Sequence, residues 1–180
     1  MCKVRVRPSL KTTWEALEAR GYRPSRRLGQ NLLLDPSLHA CIVAEAGVGP
    51  GEAVLEIGAG AGFLTWHLLE AGARVLAVEV DRRLAAVARE VLGPCEGLSL
   101  VEADILAGKQ GLNPEVLSAA PALAGTWALK LVANLPYSIS GPVLSFPASC
   151  ALALAGVGVG RSNIRSHVTA STARCRILPQ

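Results

Sequence analysis

Short apolar runs alternate with segments of helical spacing along the middle of the chain. Four runs of strand length lie at residues 53–57, 74–80, 98–102 and 128–133. The helices predicted between these runs cover residues 64–71, 82–92 and 114–120. Near-continuous apolar strands that alternate with helices predict an α/β fold, in which helices cover both faces of a parallel sheet.

Two further helices are predicted before the first strand. Residues 12–20 can form a helix with Thr12 or Thr13 as its N-cap. A second helix is predicted to start at Asp35 and Pro36, because Asp caps the first turn and Pro is tolerated at the first helical position.

Length and composition favour one domain with a sizeable core. The chain has 180 residues, of which 51% are hydrophobic and 18% charged. Residues 131–160 lack charge, but they include Pro136, Pro142 and Pro147, and we expect no membrane span there. None of the five cysteines has C-x-x-C or metal-ligand spacing, so we expect free thiols, no metal and a cytoplasmic location.

Charge divides the chain into three parts. Residues 1–30 hold eight basic and two acidic residues and form a predicted basic N-terminal arm. Residues 31–144 hold six basic and twelve acidic residues and carry the strand–helix alternation. Residues 145–180 hold four arginines and no acid. A basic arm on a mildly acidic body suits a polyanion such as RNA, although a solvated tail fits the same charges.

A glycine-rich turn follows the first predicted strand. From Glu56 to Gly62 the sequence reads Glu-Ile-Gly-Ala-Gly-Ala-Gly. Glycines at Gly58 and Gly60 allow a nucleoside to approach the backbone where side chains would block it. The spacing differs from the Gly-x-Gly-x-x-Gly fingerprint of dinucleotide sites, which favours a nucleoside with a small tail.

Carboxylates stand at the ends of the next two strands. Glu79 lies 21 residues after Gly58, where an acid can accept hydrogen bonds from both hydroxyls of a ribose. Asp81 is the better candidate for capping the following helix. Asp104 can accept from the amine of an adenine or can form a turn. Three successive strand ends with such residues predict a nucleoside site.

The fourth strand runs into Asn134-Leu135-Pro136-Tyr137. Adenine N6 is a poor nucleophile, because its lone pair is delocalised into the ring. The side-chain oxygen of Asn134 and the carbonyl of Leu135 or Pro136 can accept the amino hydrogens and align the nitrogen for methyl transfer. Pro136 stiffens the loop, and Tyr137 offers a ring for stacking an extruded base. Catalysis of this kind depends on positioning and electrostatics.

With these residues the chain resembles the small-subunit ribosomal RNA adenine dimethyltransferase family. The resemblance covers about residues 23–144 and includes 28–33, 56–62, 78–81, 102–104 and 134–141. It implies a Rossmann-like class I methyltransferase that uses S-adenosylmethionine. Partners implied are small-subunit ribosomal RNA or the immature small subunit, and we expect a monomer. The family places two methyl groups on each of two adjacent adenines.

The resemblance also implies a role for each site residue. Asn31 and Leu33 would contact S-adenosylmethionine, and Gly58, with Gly60 in the same turn, would lie under its methionine moiety. Glu79 would hold the ribose and Asp104 the adenine. Asn134 would sit beside the methyl group and the target amine.

Two departures from the family pattern stand out. Leu32 replaces the usual Phe, and after Leu144 the resemblance stops. Residues 145–180 contain no Asp, Glu or Lys, which predicts an aberrant, out-of-frame tail in place of the family's last strands and helical RNA-binding domain. A natural divergent C-terminus is the alternative. Activity of the 180-residue chain is therefore left open.

Three other functions compete with small-subunit methylation. The first is methylation of large-subunit RNA of the antibiotic-resistance type, which uses the same pocket. The second is a nicotinamide-dependent oxidoreductase, which the glycine spacing and the 134–137 loop disfavour. The third is a catalytically inactive RNA-binding fragment.

Several other residues are assigned no direct role. His39, His67 and His167 are expected on the surface or on helix faces. Trp66 is expected to pack rather than to stack on a base. Glu56 is expected to support the glycine turn by contacting the backbone of that turn.

Overall fold

The computed structural model describes residues 7–23, 35–107, 113–124, 129–133 and 151–154. Five helices occur in these ranges: α1 (Leu10–Ala19), α2 (Pro36–Glu45), α3 (Phe63–Glu70), α4 (Arg82–Leu92) and α5 (Pro114–Ala124). The strands are β1 (Ala53–Ile57), β2 (Arg74–Glu79), β3 (Leu98–Glu102), β4 (Leu129–Ala133) and β5 (Ala151–Leu154). In the part of the chain that is described, no helix has the length and apolar character needed to cross a membrane.

The strands form one parallel sheet in the order β3-β2-β1-β4-β5. In this sheet β1 lies between β2 and β4, and Ile57 is level with Val78 on one side and Ala133 on the other. The four predicted strands are confirmed. The sequence pattern predicted no element within 145–180, where the structure adds β5 alongside β4.

Helices cover both faces of the sheet, as the alternating pattern predicted. On one face the side chains of α2, α3 and α4 pack on alternate strand residues such as Val54, Val75 and Val132. On the other face α5 packs on the intervening residues, including Leu55 and Leu76. Strand side chains alternate between the two faces of the sheet. Because helices cover both faces, the residues on both are apolar, and each strand is a continuous apolar run in the sequence.

Helix α1 begins earlier than its sequence suggested. Ser9, and not Thr12 or Thr13, is the N-cap residue. The Thr13 N–H already donates to the Ser9 carbonyl at 3.0 Å, and the Thr12 hydroxyl donates to the same oxygen at 3.2 Å. Both threonines therefore lie inside the first turn, where their hydroxyls cannot act as the cap.

The other helix boundaries follow local chemistry closely. Asp35 caps α2 by accepting from the Ser37 N–H at 2.8 Å, as predicted. Asp81 likewise caps α4, accepting from the Arg83 N–H at 2.9 Å. Helix α5 runs to Ala124, beyond its predicted end at residue 120.

Part of the predicted basic arm is a packed helix. Leu17 of α1 and Tyr22 beyond it pack against Leu84 and Val87 of α4. Arg20 adds an ion pair with Glu90 of α4 at 2.6 Å. Both of those charged side chains are substantially exposed, so the ion pair contributes little compared with the apolar contact.

Attachment of α1 predicts a large difference between two leucines of the same helix. Leu17 is 1% exposed and Leu10 is 46% exposed. We expect Leu17→Ala to lower the free energy of unfolding by about 2–4 kcal/mol, because it leaves a cavity in the α1–α4 contact. The matched Leu10→Ala should change it by less than about 0.5 kcal/mol. Urea unfolding followed by circular dichroism measures both, and equal effects would contradict the packing of α1.

Candidate functional site

The candidate site residues that the structure describes lie at the carboxyl edge of the sheet. Strand order reverses between β1 and β4, because successive strands run outward from β1 to β3 on one side and from β4 to β5 on the other. Ligands of open α/β sheets bind outside the carboxyl ends of the strands at such a switch point. Gly58 follows β1 there, Glu79 ends β2, and Asp104 comes two residues after β3.

The glycine turn needs glycine at three positions. The φ angles of Gly58, Gly60 and Gly62 are 78°, 58° and 87°, which L side chains rarely adopt. A Cβ at Gly62 would also lie 2.9 Å from a methyl group of Leu92, so this glycine lets α3 and α4 pack closely. Gly58 is exposed, and its open backbone is available to a ligand.

Glu79 ties the glycine turn to the end of β2. Its side chain is buried, with 5% exposed. One carboxylate oxygen accepts from the Gly60 N–H at 2.7 Å, and the other accepts from the Asp81 N–H at 2.9 Å. Burial raises the pKa of Glu79, and these two backbone donors oppose that rise. Each oxygen keeps a further lone pair for a ligand hydroxyl.

Glu56 does not contact the backbone of the glycine turn, which corrects its predicted role. Its side chain accepts instead from the Thr65 hydroxyl of α3 at 2.6 Å. Its second oxygen is buried without a partner among the described residues. Burial raises the pKa of Glu56 to about 7, and the Thr65 hydrogen bond only partly offsets this. Glu56 shares its sheet face with Val54, because strand side chains alternate.

Asp104 is exposed and forms a turn with one oxygen. That oxygen accepts from the Leu106 N–H at 2.9 Å, and the backbone carbonyl of Asp104 accepts from the Asn113 side chain at 3.1 Å. An adenine amine would have to bind the other oxygen. Glu102, at the end of β3, is already paired with Arg82 and Arg89 at 2.9 and 3.3 Å. These partners make Asp104 the more available acceptor.

Two residues at this edge were not predicted from the sequence to belong to the candidate site. Val80 is 48% exposed directly after Glu79, and its apolar side chain can pack on the face of a nucleobase. The signal in the sequence was an apolar residue between two acids at a strand end.

Tyr22 is the second missed residue. It is buried, packs with Ala61 of the glycine turn, and faces two carboxylates of the site. Burial raises the pKa of its phenol, and the nearby negative charges of Asp81 and Glu79 add to this. Nothing in the local pattern indicated this, since Tyr22 lies far from those acids in sequence.

The remaining predicted site residues fall outside the described ranges. They are Asn31, Leu33, Asn134, Leu135, Pro136 and Tyr137. Strand β4, which precedes the last four, ends at Ala133, level with Ile57. In the described ranges no cluster of three or more His, Cys, Asp or Glu side chains is arranged to hold a metal ion.

Comparison with known proteins identifies the family. The family model described as ribosomal RNA adenine dimethylase matches residues 22–146. The chain belongs to this family. The matched range agrees with the extent of the resemblance inferred from the sequence and includes all three strand ends.

Curated relatives of this dimethylase family carry a common name. A protein of Magnetococcus marinus is 44% identical over 128 residues, which cover 71% of this chain and 43% of the relative. One of Pediococcus pentosaceus is 42% identical, with coverage of 71% and 41%. Both are named ribosomal RNA small subunit methyltransferase A. The chain therefore spans less than half the length of these relatives.

Solved structures of methyltransferases share the fold. The 23S rRNA methyltransferase ErmE is 28% identical, with a TM-score of 0.51 and coverage of 66% of this chain and 43% of that one. An S-adenosylmethionine-dependent O-methyltransferase of Thermotoga maritima is 15% identical, with a TM-score of 0.50 and coverage of 76% and 51%. The second likeness concerns the fold alone. The predicted Rossmann-like methyltransferase fold is confirmed.

The buried Glu56 predicts a pH-dependent stability. The pKa of Glu56 in the folded protein is about 7, which exceeds the ordinary 4.5. The stabilisation that the neutral carboxyl contributes is therefore complete below pH 4.5 and is lost as the pH rises through about 7. Glu56→Gln removes this titration. From pH 5 to pH 8 we expect the free energy of unfolding of the variant to rise by about 2–3 kcal/mol relative to that of the parent.

Chemical denaturation of both proteins at four pH values in this window measures the difference. Effects of the other carboxylates are common to both proteins and cancel. Stability curves that stay parallel from pH 5 to pH 8 would show that Glu56 is ionised normally.

Proposed function

We propose that this chain is the cofactor-binding part of an S-adenosylmethionine-dependent methyltransferase that acts on N6 of adenine in small-subunit ribosomal RNA. The observation that carries the proposal is the Glu79 carboxylate, clamped between Gly60 and Asp81 at the end of β2, one strand from the switch point, in a chain of the dimethylase family. In this setting the clamp presents two acceptor oxygens to a ribose beside an open glycine turn.

The described residues fit the shape and chemistry of S-adenosylmethionine. Glu79 has lone pairs for both ribose hydroxyls, and the exposed side chain of Val80 can cover one face of the adenine. Asp104 has an oxygen for the adenine amine. The exposed backbone of Gly58 leaves room for the methionine portion. Asn31, by resemblance, would cover the cofactor from the N-terminal side.

Methyl transfer itself would depend on the segment after β4. When bound, the cofactor supplies an electrophilic methyl group on a positively charged sulfur. The Asn134 side chain and the Leu135 or Pro136 carbonyl would accept the two amino hydrogens of adenine and hold its nitrogen in line. Tyr137 would stack on the base. The residues need no strong base, because N6 becomes acidic after methylation and water can take the proton.

The names of the curated relatives favour the small subunit as substrate. The likeness to ErmE supports methylation of large-subunit RNA as a second candidate. The proposed partner is ribosomal RNA within the immature small subunit, met by a monomer in the cytoplasm. Helix α1, which packs beside the site, belongs to the basic arm that would face this RNA.

Cofactor binding by the 180-residue chain tests the first half of the proposal. We expect S-adenosylhomocysteine to bind, and Glu79→Gln to weaken it about 10- to 100-fold. The amide replaces one acceptor oxygen by an N–H donor. This donor faces a backbone N–H, and one hydrogen bond to the ribose is lost. Isothermal titration calorimetry measures the dissociation constants.

Glu45→Gln is the matched control, because Glu45 is an exposed residue at the end of α2, and that end of the helix meets the start of β4. Its affinity should equal that of the parent. A thermal unfolding scan of each variant separates lost binding from lost folding. Tight binding of NAD in place of S-adenosylhomocysteine would overturn the proposal.

Methyl transfer tests the second half. We expect label from S-adenosylmethionine to enter RNA of isolated small subunits rather than large subunits. Asn134→Ala should lower the rate at least about 100-fold, because the aligned acceptor is lost, while S-adenosylhomocysteine affinity stays within a few fold.

The alternatives give different results in the same assay. Label in large subunits would favour the antibiotic-resistance type. RNA binding that survives Asn134→Ala, with no transfer by either protein, would identify an inactive RNA-binding fragment.

A further inference from the structure

A cleft lies next to the glycine turn, between the segment before α1 and the first turns of α2 and α3. We call it the Arg7 cleft. Its lining includes Arg7, Leu10, His39, Phe63, Trp66 and His67. None of these residues was predicted from the sequence to belong to a site.

Aromatic rings form the floor of this cleft. His39 is 1% exposed, so of the two expected placements, the surface or a helix face, it takes the second and lies on a buried face of α2. Its ring stacks on Phe63 with 6.3 Å between centroids and lies 5.3 Å from the ring of His67. Trp66 meets His67 edge to face at 4.8 Å. This floor is packed and gives the cleft a fixed shape.

Arg7 supplies the charge of the cleft. Its guanidinium lies 5.7 Å from the centroid of the Trp66 ring, which is within the range of a cation–π contact. Arg7 is exposed, so its N–H groups remain accessible. No acid lines the cleft among the described residues. Burial lowers the pKa of His67, and the charge of Arg7 lowers it further, while Glu70 has a smaller opposing effect. The lowered pKa favours the neutral imidazole.

The cleft opens at the same edge as the candidate cofactor site. Phe63 begins α3 directly after Gly62 of the glycine turn. Helix α2 also begins at this edge, because its other end meets the start of β4, where the Lys130 ammonium donates to the Gly47 carbonyl. A ligand in the cleft would therefore lie beside the candidate cofactor site.

We propose that the Arg7 cleft binds a backbone phosphate of an unpaired RNA segment that flanks the target adenine. The identity of the polyanion as RNA rests on the proposed function. A guanidinium backed by an aromatic ring suits a phosphate, since its donors are held in one plane. Exposed Leu10 offers apolar contact to an unstacked nucleotide. The eight basic residues of the 1–30 segment supply charge complementarity.

Binding of a fluorescein-labelled single-stranded RNA dodecamer to the 180-residue chain tests this proposal. Fluorescence anisotropy at several salt concentrations gives the affinity and its salt dependence. We expect Arg7→Gln to weaken binding about fivefold or more and to reduce the slope of log affinity against log salt by about 0.7, the value for one phosphate of a single strand. Its affinity for S-adenosylhomocysteine should not change.

Arg83→Gln is the matched control. Arg83 is an exposed arginine at the start of α4 and does not line the cleft. Its removal deletes the same charge, and we expect an affinity loss of less than about twofold because no local contact is lost. Trp66→Leu removes the ring behind Arg7, and the Arg7→Gln, Trp66→Leu double variant should bind no more weakly than Arg7→Gln alone.

Each outcome decides between the cleft and the proposed function. Equal losses for Arg7→Gln and Arg83→Gln, or additive losses in the double variant, would overturn the cleft. No RNA binding by the parent would overturn it too, whereas S-adenosylhomocysteine binding by that sample would leave the cofactor half of the proposed function intact. RNA binding that depends on Arg7, without S-adenosylhomocysteine binding, would support the cleft and reject the cofactor half.

Discussion

A single buried carboxylate determines the geometry of the carboxyl edge. Glu79 holds the Gly60 N–H with one oxygen and the Asp81 N–H with the other, and so joins the glycine turn to the start of α4. The turn consists of glycines and alanines and has no polar side chain of its own with which to fix its shape. A charge removed from water is tolerated here because backbone donors replace its hydration. The atoms that fix the turn are also those offered to a ligand.

Two buried glutamates, Glu56 and Glu79, illustrate how neighbours decide the role of a residue type. Glu79 has two backbone donors, whereas Glu56 has one hydroxyl donor, from Thr65. The less satisfied carboxyl has its pKa raised to about 7 and is best accommodated as a neutral acid. Glu56 thus belongs to the packing of β1 against α3, and Glu79 belongs to the candidate site.

The N-terminal segment is built into this edge from two sides. Tyr22 brings the end of α1 against Ala61 of the glycine turn and towards the acids at the end of β2. Arg7, before α1, lies over Trp66 of α3. Positive charge is therefore held by apolar and aromatic contacts beside the proposed cofactor site, where a polyanionic substrate would approach.

The sequence by itself determined the four strands β1 to β4, their helices and the strand ends that carry Gly58, Glu79 and Asp104. These depend on local periodicity and on chain order, which a parallel sheet converts into proximity at one edge. Only the tertiary structure decided that Glu79 rather than Glu56 holds the turn, that His39 is buried, and that Tyr22 and Arg7 reach the edge. Those facts depend on which side of a strand faces which helix and on contacts between residues distant in sequence, and no local pattern encodes them.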